Sequence, residues 1–268
     1  MRKDWLADTG LTAIGLVMLV FVLAPVFVVL AVSLSAGESF GMPIGGLSLR
    51  WYAEILRDPQ WRTAVGNSVT IALISTMAAL ALGVPAAYAV QRMEFPGRNI
   101  IGALAISPMV LPVVALAAAQ YLLLARLHLS GTMAAVVIAH VIYVMPFVFV
   151  ICGLGIASVD PRIEAAAFSL GASRATVFRT ILFPNIFPSM TASALLCFVS
   201  SFDELVLALF VGSGVRTVPL TIMGELKYEL KPTIAALSTS LSLLTVGMAF
   251  AALLMMRRSR ISLARLVS

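Results

Sequence analysis

Six stretches without a charged side chain, each long enough to cross a bilayer, constrain this chain more than any other feature. They run from Thr9 to Gly37, Thr63 to Gln91, Asn99 to Ala125, Leu127 to Val159, Thr180 to Phe202 and Pro232 to Met256. A helix rises about 1.5 Å per residue, so about 20 apolar residues cover the roughly 30 Å hydrocarbon layer. The spacing predicts six transmembrane helices near residues 11–34, 67–90, 100–124, 134–157, 187–210 and 233–256. Composition points the same way: 61% of the 268 residues are hydrophobic and 11% charged, with a mean hydropathy of +1.05. A soluble domain of that composition would expose a mostly apolar surface. The expectation is an all-α integral membrane protein, a single transmembrane domain over residues 1–268 with one long cytoplasmic loop at 158–185.

The basic residues set the orientation. With six spans, one side carries Arg2, Lys3, Arg92, Arg98, Arg162, Arg174, Arg179, Arg257, Arg258, Arg260 and Arg265. The other carries Arg50, Arg57, Arg62, Arg126, Arg216, Lys227 and Lys231. The richer side is cytoplasmic, which places both termini and residues 158–185 there. The same rule accounts for the net charge of +6 without nucleic acid, since the basic residues are scattered among loops and no aromatics interleave them. The four arginines of the tail suit an anionic lipid surface.

The 158–185 connector has its own punctuation. Asp160 is placed to cap a helix beginning at Pro161, and Gly171 to end it in the left-handed conformation. Ser173 offers a second cap, after which Val177, Phe178, Ile181 and Leu182 recur at helical spacing until Pro184 is expected to stop the helix. Ala165 and Ala166 keep the first helix narrow, and Glu164 is expected to stand out from it as a charged knob.

This segment, EAAAFSLGASRATVFRTILFPNIFP, resembles the EAA loop of permease subunits of ATP-binding-cassette importers. Glu164, Ala165, Ala166, Gly171, Ile181 and Pro184 fall at that family's spacing, with Phe183 where leucine is usual. The resemblance implies a type I importer permease (MetI-like) fold. It also implies that these six residues couple the chain to cytoplasmic ATPase subunits, two copies per transporter. Further implied partners are a second homologous permease and a periplasmic substrate-binding protein, all working at the bacterial inner membrane by alternating access. The run SFDELVLALFVGSG from Ser201, with Val218-Pro219-Leu220 and Pro232 to Thr239, is similar to the second permease of polyamine-type importers. That likeness implies a small amine cargo such as putrescine or spermidine, or a related γ-aminobutyrate or opine-like solute.

The chain contains no G-x-x-x-x-G-K-[ST] phosphate loop, no H-E-x-x-H and no G-x-S-x-G. It is thus expected to be a transport subunit and not an enzyme, holding no cofactor, with ATP and Mg bound by the partner ATPase. Cys152 and Cys197 fall inside spans and read as small apolar fillers. His140 lies in the fourth span, where it either hydrogen-bonds across helices or relays protons. Asp203 and Glu204 interrupt the fifth. Charges at that depth cost about 2.5–3.5 kcal/mol each on insertion scales, so a watery pathway or a partner must offset them. Either one of them faces the substrate pathway and the other bonds elsewhere, Ser200 being in reach, or the helix ends early and both sit at the outer interface. A rival class is a secondary transporter or ion channel using His140, Asp203 and Glu204. In the first outer loop, Leu49, Tyr52, Ala53 and Leu56 share one face of a short amphipathic surface helix flanked by Arg50 and Trp51.

Overall fold

The computed structural model describes residues 2–38, 46–227 and 231–266. Among them the secondary structure is helical apart from one isolated antiparallel bridge between Ser35 and Leu47. The α-helices are α1 (Arg2–Ser33), α2 (Arg50–Arg57), α3 (Pro59–Arg92), α4 (Arg98–Val110), α5 (Val113–Arg126), α6 (Met133–Ala157), α7 (Pro161–Ser169), α8 (Arg174–Val177), α9 (Phe183–Phe202), α10 (Val206–Val211), α11 (Val218–Leu226) and α12 (Pro232–Leu266). A single π-helical turn, Phe178–Leu182, joins α8 to α9. The side chains of Arg257, Arg258, Arg260 and Arg265 lie outside the described residues.

Four stretches among the described residues are long and apolar enough to cross a membrane: Leu11–Ser33, Pro59–Arg92, Met133–Ala157 and Arg174–Phe202. The third expected span is broken. It consists of α4 and α5, bent by 113° at Leu111 and Pro112. Pro112 has no N–H to give and disfavours the helical conformation in the residue before it, and Leu111 is accordingly extended at φ −81°, ψ 140°. The fifth span also differs from expectation: it starts earlier, at Arg174, and stops at Phe202 rather than 210. The sixth expected span falls on α12, whose apolar stretch among the described residues, Pro232–Gly247, is shorter than those four, so the described residues give four spans, or five if the bent pair counts as one.

The chain divides into two compact units, Met1–Arg62 with Ile222–Thr245, and Thr63–Thr221 with Val246–Ser268. In the larger one, α6 is the central element. Its Val144, Val148, Cys152 and Ile156 are fully buried against Leu182, Ile186 and Cys197, and against Ala79, Val84 and Ala87 of α3. Close approach here depends on missing side chains: a Cβ at Gly155 would collide with Ser189, and one at Gly83 would lie 2.8 Å from Val148. Small residues at helix contacts are how apolar helices associate where lipid competes equally for apolar surface. A second cluster joins Ala117 and Leu124 of α5, Ala135 and Ala139 of α6, and Leu207 and Val211 of α10. Cys152 and Cys197 are free and buried.

In the smaller unit α2 is a surface helix as expected, but a different face is covered. Trp51 and Ile55 are buried while Leu49 and Leu56 are exposed. The Trp51 indole N–H donates to the Ser35 carbonyl at 2.8 Å, and the Tyr52 hydroxyl lies 2.8 Å from Ser33 Oγ. Burying an indole removes much apolar area from water once its N–H finds an acceptor, and the chain after α1 supplies one. Arg50 stacks over the Trp51 ring at 4.2 Å.

Candidate functional site

The loop between α6 and α9 is built by local rules. Asp160 Oδ1 accepts from the Arg162 N–H at 2.9 Å, with Pro161 opening α7. At the other end Gly171 takes φ +86°, its N–H bonds to the Phe168 carbonyl at 2.9 Å, and the Ala172 N–H reaches the Ala167 carbonyl at 3.0 Å. This pair of bonds is the Schellman stop, which satisfies two carbonyls that the helix cannot. A Cβ on Gly171 would meet nothing within 4 Å, so backbone conformation and not space requires glycine there. Ser173 Oγ then accepts from the Thr176 N–H at 3.2 Å to start α8.

Pro184 does not end the helix, contrary to the sequence expectation. The π turn opens the ladder just before it, and the Phe183 N–H bonds back five residues to the Phe178 carbonyl. Wider spacing of that turn removes the clash that a proline ring makes with the preceding turn, and Pro184 enters within the first turn of α9, where its missing N–H costs least. The loop therefore runs on from α8 into α9 without a break in the helix. Val177, Leu182 and Ile186 root it in the core.

Glu164 is not a protruding knob. It is buried, and its Oε1 accepts from Arg92 Nε at 2.7 Å, with the two side chains only 6% and 11% exposed. What α7 exposes is apolar: Leu170, just past its end, is 89% exposed, and Ile163, Ala165, Ala166 and Phe168 are exposed along it, with Arg162 and Arg174 exposed in the same loop. Ile181 is half-buried and Pro184 exposed. Exposed apolar side chains with exposed arginines in the same loop give a partner surface to bury and cations to pair. Sequence reasoning assigned Arg92 only to the basic bias, because nothing near it in the chain names Glu164 as its partner.

The two adjacent carboxylates have separate environments. Glu204 is buried, and its Oε1 accepts from the N–H groups of Val206 at 2.7 Å and Leu207 at 3.1 Å. It caps α10 from the position before the N-cap residue Leu205, holding the first two N–H groups of that helix. Ser200 is not its partner. Asp203 ends α9 and is exposed. His140 Nδ1 pairs with Ser201 Oγ at 2.8 Å inside the bundle, while its Nε2 has no described partner. Gln120 on α5, which the sequence did not single out, is buried with both amide atoms unpaired among the described residues.

Apolar helices long enough to cross a membrane, with a capped loop running on into one of them, make this a helical membrane protein. Residues 79–260 match the family described as binding-protein-dependent transport system inner membrane component, and the chain belongs to it. It is 37% identical over 202 residues to the putrescine transport system permease protein PotI of Escherichia coli, covering 72% of each chain. To the spermidine/putrescine transport system permease protein PotC of Escherichia coli it is 28% identical over 231 residues, covering 86% of this chain and 88% of the relative. The fold is similar to that of a chain in the crystal structure of a bacterial alginate ABC transporter in complex with an alginate pentasaccharide-bound periplasmic protein, with a TM-score of 0.70, 14% identity and 96% coverage of both chains.

Proposed function

We propose that this chain is one permease subunit of an ATP-driven importer of a small amine, with putrescine or spermidine as its cargo. The observation that carries the reading is the apex of α7: an exposed apolar tip set on a locked Schellman turn and continuous, through α8 and the π turn, with a core membrane helix. Such a tip suits a groove on a cytoplasmic ATPase, and a push on it has a direct route into the bundle. Similarity to two polyamine permeases supports the cargo class. The ATPase holds ATP and Mg, a periplasmic binding protein delivers the cargo, and a second homologous permease completes the path. Glu164, Ala165, Ala166, Gly171, Ile181 and Pro184 form the coupling segment, with Glu164 acting from inside it. Asp203 is the carboxylate free to meet a cationic amine, since Glu204 already serves α10. The bias of basic residues supports cytoplasmic termini.

The test is uptake of radiolabelled putrescine by proteoliposomes containing this chain with its ATPase, its partner permease and the binding protein. Uptake that requires ATP inside and binding protein outside is expected. Uptake indifferent to ATP would support the secondary-transporter class and overturn the reading, whereas ATP-driven uptake of a different solute would revise only the cargo.

A further inference from the structure

Arg92 makes three hydrogen bonds that join three separate parts of the larger unit. Its Nε donates to Glu164 Oε1 of α7 at 2.7 Å, and its Nη2 donates to the Ile156 carbonyl at 2.8 Å and to the Val159 carbonyl. Arg92 is the last residue of α3, Ile156 lies in the last turn of α6, and Val159 follows α6. The final carbonyls of a helix carry the negative end of its dipole, so a guanidinium there is electrostatically favoured, and it adds to the bond that the Ile156 carbonyl accepts from the Val159 N–H at 3.2 Å. The Nε bond to a buried carboxylate and the two Nη2 bonds to carbonyls hold one planar, charged group between the end of α6 and α7.

The loop therefore has two joints to the bundle. One is covalent and helical, through α8 and the π turn into α9. The other is Arg92, which ties α7 to α3 and α6. Without the second joint, α7 hangs on the short connection from α6 at one end and on Gly171 at the other, and a displacement of its tip is absorbed by rotation about those points. With it, α7 cannot move unless α3 and α6 move too, or three hydrogen bonds break. α6 is packed directly on the α9 segment through Val144, Cys152 and Ile156 against Leu182, Ile186 and Cys197, so both joints deliver load to the same helix pair.

We infer that Arg92 is a positioning residue for transport, a strut that converts displacement of α7 by the ATPase into movement of α3 and α6, and that Glu164 is its anchor. The inference rests on the proposed coupling role of α7. The experiment uses the whole reconstituted importer with putrescine as probe. It compares the parental chain, Arg92→Gln, Arg92→Lys and Glu164→Ala for co-purification of the ATPase, ATP hydrolysis, and putrescine taken up per ATP hydrolysed.

Arg92→Gln and Glu164→Ala should retain the ATPase and hydrolyse ATP, while uptake per ATP falls about tenfold, within the range of energetic coupling between sites. Arg92→Lys keeps the charge without the guanidinium geometry and should fall between. A parental uptake-to-ATP ratio in Arg92→Gln and Glu164→Ala overturns the strut. So does loss of the ATPase on co-purification with Glu164→Ala, which would place the defect in docking. If Arg92→Gln yields no folded protein, Glu164→Ala decides, because it removes the acceptor on α7 and leaves the two carbonyl bonds in place. Failure of the parental chain to retain the ATPase is a separate result that removes the coupling reading itself.

Discussion

His140 Nδ1 and Ser201 Oγ stand 2.8 Å apart in the interior, joining the first half of α6 to the penultimate residue of α9. The pair gives His140 a cross-helix role and positions the turn from which Asp203 and Glu204 emerge.

Ser201→Ala should destabilise the protein by about 1–3 kcal/mol, since it leaves a buried ring nitrogen without its partner. The check is thermal unfolding in detergent. ATP-driven uptake should persist below the new transition temperature. If stability is unchanged, the bond contributes nothing net and His140 has another partner.

Gly171→Asn should be tolerated and Gly171→Val should not, although there is open space for both side chains. At φ +86° an L-residue pays about 1–2 kcal/mol, asparagine less, and a β-branched residue is a poor fit at that conformation. ATP-driven uptake and ATPase co-purification should both fall for valine and stay near parental for asparagine. Equal loss in both variants would mean that a contact at the tip, and not the turn, is what glycine serves.

Asp203 and Glu204 should separate in their phenotypes. Glu204→Ala removes the cap of α10 and should cost about 0.5–2 kcal/mol in thermal stability. Asp203→Asn should leave stability unchanged and lower putrescine uptake. Binding of putrescine by the isolated binding protein is the control and should be unaffected. Parental uptake by a well-assembled Asp203→Asn variant removes Asp203 from the pathway.

Orientation is open to single-cysteine labelling in a background lacking Cys152 and Cys197. Replacing the cap residue would disturb α8, so the neighbouring exposed Ala175→Cys is the better site on the loop. It should react with an impermeant maleimide only in inside-out vesicles, and Leu56→Cys on α2 only from outside. Labelling of Ala175→Cys in intact cells would reverse the topology.

Hydropathy, caps and turn glycines were legible in the sequence because each depends on residues within a few turns of one another. The charge-free runs, the Asp160 and Ser173 caps, the left-handed Gly171 and the surface helix α2 all follow from such short-range rules. Pro184 was misread for a related reason: a proline forbids the regular ladder, but the π turn that admits it is set by how Val177, Leu182 and Ile186 seat in the core. The covered face of α2 turned on an acceptor beyond its own helix, the Ser35 carbonyl.

What the chain alone determined was the kind of protein, an all-α membrane permease with an EAA-type loop. Tertiary structure decided which charges work inside it. Glu164 and Arg92 are separated by 72 positions, and no local pattern tells a carboxylate that an arginine from another helix will bury it. Asp203 and Glu204 are neighbours of the same chemistry, yet one is exposed and the other caps α10. Solvation of a charge depends on what lies around it in space, and that is settled only when the helices pack.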